Sequence, residues 1–357
     1  MKNLSSTLLV NIIFLAACFA QRDTAFSVTY FNPSPHISIR ALEVRSDSRV
    51  WFAANHGVWG FTEDQGKTWH IDSIKVDSVY PEFRSMAVLN DSTVLLLSIS
   101  SPAYLFKTTN KGKTWKWVYK NTDKNIFFDS MKFWDEKNGI AIGDPIDSCF
   151  QLITTANGGE TWKPIDCSGI PKAMEGESLF AASNTNIDLY GKDVWFATGG
   201  KHARIFHSAD SGHHFRAEVA PIQQGGKMTG VFSVCIGDKY KIGIIAGGNY
   251  EHTDSTILNM AFLEGKFPDG RERWEFHKDR ISFFGSCVQL DKNRHRIFIT
   301  GHDGTFIKRI DSQYTLTEIK DAQRESLKFH TLRISPSGKT LWLAGDKGRI
   351  AFITLAP

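Results

Sequence analysis

Arginine is the side chain best suited to capturing a carboxylate, because its planar guanidinium can donate two parallel charge-assisted hydrogen bonds. Arg40 and Arg84 hold equivalent places in a recurring pattern, Ile39-Arg40-Ala41-Leu42 and Phe83-Arg84-Ser85-Met86. Asp129 and His330 take the same place in Phe128-Asp129-Ser130-Met131 and Phe329-His330-Thr331-Leu332. A second group, His56, Asp144, His202, Arg204, Asn249, Tyr250 and His302, falls in turns that follow β-rich runs. Brought together, these residues would bind an anionic ligand. The 12 histidines lack the spacing of a zinc site, and there is no CxxC pair or His/Cys cluster. No catalytic residue, metal or cofactor is expected.

Residues this far apart can act together only if a repeated architecture gathers them. Thr62-Glu63-Asp64-Gln65-Gly66-Lys67-Thr68-Trp69 recurs as Thr108-Thr109-Asn110-Lys111-Gly112-Lys113-Thr114-Trp115 and as Thr155-Ala156-Asn157-Gly158-Gly159-Glu160-Thr161-Trp162. A looser copy is Ser208-Ala209-Asp210-Ser211-Gly212-His213-His214-Phe215, and a degenerate fifth is Asp269-Gly270-Arg271-Glu272-Arg273-Trp274. The closing aromatics of the first four lie 46, 47 and 53 residues apart. Each copy reads as a strand, a tight turn and a returning strand: Asp or Asn bonds the turn's backbone, Gly accepts positive φ, and the aromatic packs between layers.

The strand openings recur seven times, adding Phe180-Ala181-Ala182-Ser183, Val231-Phe232-Ser233-Val234 and Phe284-Gly285-Ser286-Cys287 to the four above. Second strands are expected near 50–54, 94–98, 139–143, 194–198, 244–248, 297–301 and 341–345. Trp51, Trp195 and Trp342 occupy matching second-strand positions, which marks them as core. Seven units of about 48 residues predict an all-β, seven-bladed β-propeller. Its last unit has three strands of its own, and the alternating Phe26-Ser27-Val28-Thr29-Tyr30-Phe31 is placed to supply the fourth and close the ring. The stretches 166–177 and 251–272 are expected to be insertions. In a propeller, the inner-strand openings and the second-to-third strand turns share one face around a wet channel mouth, so the polar residues above converge there. The repeated turns lie on the other face.

The repeated turn resembles the Asp-box, or BNR repeat, of propellers such as sialidases. The first blade and Asn138-Gly139-Ile140-Ala141-Ile142-Gly143-Asp144-Pro145 resemble the photosystem II stability/assembly factor family. Phe180-Ala181-Ala182-Ser183, followed by Val194-Trp195-Phe196-Ala197-Thr198-Gly199-Gly200, is similar to exported bacterial homologues of that family. The resemblance implies a non-catalytic propeller that binds a protein segment. The alternative is a sialidase-like exo-glycosidase with Arg40, Arg84 and Arg204 as its carboxylate triad. That activity would also need a tyrosine nucleophile paired with a glutamate, and Tyr250-Glu251 are merely adjacent in sequence.

Charge and termini bound the rest. With 42 Lys+Arg against 38 Asp+Glu, the net charge of +4 offers no footprint for nucleic acid. Residues 1–20 read as an export signal, leaving 21–357 as one extracytoplasmic propeller domain, expected to be a monomer. Leu15-Ala16-Ala17-Cys18 fits a lipobox that would lipidate Cys18, the one route to a membrane, whereas Cys18-Phe19-Ala20 before Gln21 fits ordinary signal cleavage. Cys149 and Cys167 flank a predicted hairpin turn symmetrically and are candidates for a disulfide, with two buried thiols as the alternative. The partner is expected to be a protein segment or another acidic extracytoplasmic ligand.

Overall fold

The computed structural model describes residues 26–237, 242–254, 259–266, 272–276, 283–291, 295–310 and 316–355. The export signal and Cys18 lie outside the described residues. The described chain forms seven antiparallel sheets arranged as the blades of a β-propeller. The inner strands, in chain order, are Ile39–Val44, Phe83–Val88, Phe128–Phe133, Ile187–Tyr190, Thr229–Ile236, Cys287–Asp291 and Thr331–Ile334. Each packs beside the next, and the seventh returns to the first.

Ring closure is made by both ends of the chain. Val28–Phe31 adds to the last blade as its outermost strand, with Val28 opposite Ile353 and Phe31 opposite Ile350. Phe31 then stacks on Trp342, ring centroids 6.0 Å apart, tying the outer strand to the blade's own second strand. The core sits between blades, because each sheet is apolar on both faces: Val50–Ala54, Val94–Ser98 and Thr340–Ala344 are buried at every position. Trp51, Trp195 and Trp342 are all buried there.

The four repeated turns share one hydrogen-bond scheme. In the second, Thr108 Oγ1 donates to Asn110 Oδ1 (2.9 Å) and accepts from Gly112 N (2.9 Å), while Asn110 Oδ1 also accepts from Thr114 N (3.0 Å). Gly112 has φ +81°, and a Cβ on it would sit 2.1 Å from the Trp59 ring of the first blade. The turn glycines thus press each blade onto the one before: Gly66 onto Phe31, Gly112 onto Trp59 and Gly159 onto Leu95.

Two stretches depart from the sequence reading. The region 251–272 is not one insertion, because Met260–Lys266 is the third strand of the fifth blade and Glu272–Phe276 its fourth. The degenerate turn copy before Trp274 falls largely outside the described residues. More consequentially, Phe180 to Ser183 do not open the fourth blade: its inner strand is Ile187–Tyr190, preceded by a segment with no strand pairing of its own. The 166–177 stretch is an insertion, pinned by a disulfide between Cys149 and Cys167, whose Cα atoms are 5.8 Å apart.

Gly112→Ala must displace the Trp59 ring and hold alanine at positive φ. It is expected to cost about 1–3 kcal/mol, read as a lower urea midpoint with an unchanged m-value.

Candidate functional site

The segment 180–186 crosses the middle of the ring. Its residues Ser183, Asn184, Thr185 and Asn186 are buried to within 1% of completely. Asn184 adopts φ +58°, a left-handed conformation that asparagine tolerates better than most residues. Every other blade reaches it. The first contributes Arg40 Nη1 to Ala182 O (3.4 Å). From the second, Ser85 Oγ donates to Asn184 Oδ1 (2.7 Å) and Met86 O accepts from Asn184 Nδ2 (2.9 Å). From the third, Ser130 Oγ donates to Asn186 Oδ1. The fifth supplies Val234 N to Thr185 O (2.7 Å), and in the sixth Ser286 O accepts from Ser183 Oγ (2.8 Å). The seventh supplies Thr331 Oγ1 and Arg333 Nη2 to Ser183 O, each at 3.2 Å. The expected open, wet channel is therefore filled by a polar plug. A backbone crossing the ring must have its polar groups satisfied there, and the inner strands present donors to the carbonyls of Ala182, Ser183 and Thr185 and partners to the side chains of Ser183, Asn184 and Asn186.

Around one end of this plug lie most of the expected site residues, held by one device. Arg40, Arg84 and Asp129 are each skipped in the pairing of the first two strands, at bulges between Ile39/Ala41, Phe83/Ser85 and Phe128/Ser130. Such bulges re-aim a side chain. Phe232 sits at the matching bulge of the fifth blade, between Val231/Ser233. His330 comes just before the inner strand of the seventh.

The mouth has an ionic half and an aromatic half. On the ionic side, burial and then the neighbouring Arg84 push Arg40 below the ordinary arginine value, and Tyr250 and Asp346 oppose this. Arg84 is forked onto Glu82, with Nε and Nη2 both 2.7 Å from Oε1. Burial, and next the Asp144 carboxylate, raise Asp129 well above the usual carboxylate range, against the pull of Arg84. Burial likewise raises Asp144 to about 6, although it accepts a hydrogen bond from Leu179 N at 2.7 Å. His330 Nε2 stands 2.8 Å from Asp346 Oδ1, which also accepts from Ser38 Oγ (2.7 Å). Both His330 and His302 are lowered chiefly by burial, and Asp346 is lowered chiefly by its hydrogen bond with His330.

The aromatic side is a chain of ring contacts. Phe180 stacks on Phe232 (3.9 Å), and Phe232 meets Phe284 edge-on (4.5 Å). Tyr250 then links Phe284 (5.5 Å) to His302 (5.0 Å), which reaches His330 (5.2 Å). Thus Arg40, Arg84, Asp129, Asp144, Tyr250, His302 and His330 form one neighbourhood.

The remaining expected residues serve other ends. Arg204 is forked onto the buried Glu177, with Nη2 2.6 Å from Oε2, and also donates to Lys172 O (2.7 Å). It braces the 166–177 insertion rather than joining Arg40 and Arg84 in a carboxylate triad. Asn249 accepts from the backbone N–H groups of Glu251 (2.9 Å) and His252 (3.2 Å) and so shapes the turn beside Tyr250. His202 is half-buried in the turn near Glu175, and His56 is exposed at φ +57°. Sequence reasoning missed Ser38, Glu82 and Asp346, which carry no pattern. It also missed Phe232, although the repeat aligned that residue with Arg40.

No protein-family model and no curated protein matches the chain. Solved structures do. A YCF48 structure bound to a D1 peptide is 12% identical, with a TM-score of 0.65, over 92% of this chain and 97% of that one. YCF48 from Cyanidioschyzon merolae is also 12% identical, with a TM-score of 0.66, over 92% and 99%. The WD40 repeats of RRP9 give 12%, 0.63, 93% and 99%. The likeness is one of fold. At this identity none of the three carries over a binding residue.

Because Asp144 is raised to about 6 in the folded protein from an ordinary 3.8, it retains its proton on folding between those values. Its effect on stability is therefore absent at low pH and becomes unfavourable as pH rises from about 4 to beyond 6. Asp144→Asn, which keeps the acceptor for Leu179 N, is expected to melt higher than the native protein at pH 8. The difference should vanish near pH 4 in thermal scans. Separately, Asn184→Ala strands Met86 O and Ser85 Oγ inside the ring and should cost about 2–4 kcal/mol in denaturant titration.

Proposed function

We propose that this protein is an extracytoplasmic propeller scaffold that captures an acidic segment of a partner protein at its plugged mouth, without changing covalent bonds. The observation that carries this reading is Arg40. Its guanidinium is largely removed from water and lies against a second arginine, yet no carboxylate stands within ion-pairing distance of it among the described residues. Its protein partners are uncharged: the carbonyl oxygen of Ala182, 3.4 Å from Nη1, and the Tyr250 hydroxyl. A buried cation held this way gains most from an incoming anion, since desolvation strengthens a charge-assisted hydrogen bond.

The geometry around Arg40 supports a chain segment as the ligand. The plug makes the mouth blind, so a ligand lies across it and does not thread the ring. Exposed apolar residues stand in the connections on the same face, Val79 (60%) and Tyr80 (48%) after the first blade and Met174 (45%) before the fourth. They would meet apolar side chains flanking an acidic group. A fold neighbour, YCF48, has been solved with a D1 peptide, and a peptide is the ligand class proposed here too. The turn scheme supports reading the repeats as Asp-boxes, and the apolar amino-terminal stretch supports export, by simple secretion or with Cys18 lipidated.

The test is anisotropy of a fluorescein-labelled hexaglutamate titrated with the mature chain at low salt. The Arg40→Ala, Arg84→Ala double variant should weaken binding by about tenfold or more, with its melting temperature recorded as a check on folding. Binding that persists undiminished in a folded double variant would remove the mouth as the site. A fluorogenic sialoside tests the glycosidase alternative, and no turnover is expected.

A further inference from the structure

A separate cavity opens on the opposite face, the one carrying the repeated turns, at the junction of the third and fourth blades. It encloses about 740 Å³, within the range of small-molecule sites. Its cause is local. The third blade's outermost strand is cut to two residues, Lys163–Pro164, pairing only with Ile153 and Thr154, whereas the second blade's runs for six, Lys116–Asn121. Beyond Pro164 the chain leaves the blade for the 3-10 turn Cys167–Gly169, held by the disulfide, and Gly169 O accepts from Phe215 N of the fourth blade at 2.7 Å. A missing strand edge, bridged at one end, leaves a groove between the two blades.

The lining has two characters. Trp134 and Ile165 contribute apolar surface, Lys163, Lys192 and His213 present ammonium and imidazole groups, and Asn157 and Thr161, bonded to each other within the repeated turn (2.9 Å), keep one amide hydrogen and the hydroxyl hydrogen for a ligand. Neither Lys163 nor Lys192 has an acidic partner among the described residues. The acid in the lining, Asp135, is already engaged: it accepts from Lys137 N (2.7 Å), Asn138 N (2.7 Å) and Asn138 Nδ2 (2.9 Å). His213 Nδ1 lies 2.6 Å from Asp210 O and so donates to it, which leaves Nε2 as the ring nitrogen free to meet a ligand. The lining thus carries two lysines against one aspartate, with the Trp134 indole among its polar groups.

We propose that this groove is a binding site for a short anionic oligosaccharide. A sugar ring has an apolar C–H face that suits the indole and isoleucine surface, and hydroxyls that suit asparagine, threonine and histidine. Its carboxylate would meet Lys163 and Lys192. A lone phosphate or carboxylate would leave most of the volume and all of the apolar wall unused. This site is independent of the mouth: it lies on the other face and shares no residue with it.

The test is isothermal titration of the mature chain with trigalacturonate and, in parallel, with the neutral trisaccharide maltotriose. Trigalacturonate should bind saturably, at least about tenfold more tightly than maltotriose, and more weakly as salt rises. The double variant Lys163→Ala, Lys192→Ala, shown by its melting curve to be folded, should lose at least about tenfold in trigalacturonate affinity. Trp134→Phe, which keeps a ring, should lose less than Trp134→Ala. The proposal fails if trigalacturonate gives no saturable heat, if the folded double variant binds as the native protein does, or if tetraglutamate binds as tightly as trigalacturonate.

Discussion

The protein depends on one demand: a length of backbone lies in the centre of the ring, and its polar groups must be satisfied without water. Ser183 to Asn186 have essentially no exposed surface. An unpaired buried carbonyl or amide costs about 1–3 kcal/mol, so a plug of this length is tolerable only when all its neighbours supply partners at once. They do so from six blades, and Arg333 is the clearest case. Buried, it donates to Leu332 O (2.8 Å) and Thr331 Oγ1 (3.0 Å) within its own blade and to Ser183 O (3.2 Å) across the channel. The plug is therefore an internal hub, and the ring and its filling specify each other.

That hub determines the character of the mouth. With the channel filled, the bulged side chains at the strand openings crowd over a closed floor. Arg40 rests on Ala182 O, and Asp144 is fixed by Leu179 N, so both are set by the approach to the plug. Crowding and loss of water move their titration in the directions expected of burial: the carboxylates Asp129 and Asp144 rise, and the cations Arg40, His302 and His330 fall. Charge is costly on this floor for either sign, and a phenylalanine and tyrosine cluster lies beside the ionic groups.

Legibility in the sequence followed periodicity. The seven blades, the amino-terminal strand that completes the last one, and the positions of Arg40, Arg84, Asp129 and His330 all recur at nearly constant spacing, because each blade solves the same packing problem with the same residue types. The plug breaks that regularity. Phe180 to Ser183 copy the opening of a blade well enough to be taken for one, and only the longer interval between Trp162 and Phe215 and the uncharged polar run Ser183-Asn184-Thr185-Asn186 mark extra chain. Glu177 shows the same limit. Nothing near it in sequence announces that it would claim Arg204, since the pair is 27 residues apart and meets through an insertion.

What the sequence by itself determined is the repeating unit: strand alternation, turns built by Asp, Asn, Thr and Gly, and an aromatic to wedge each blade on its neighbour. These are local, so about 50 residues at a time suffice to read them. What the tertiary structure alone decided is which charged residues stay available. Arg40, Arg84 and Arg204 look alike along the chain. The fold gives Arg84 to Glu82 and Arg204 to Glu177, and leaves Arg40 against a carbonyl oxygen. Pairing depends on which side chains a closed ring brings within a few ångströms, and that distance is a property of the whole ring.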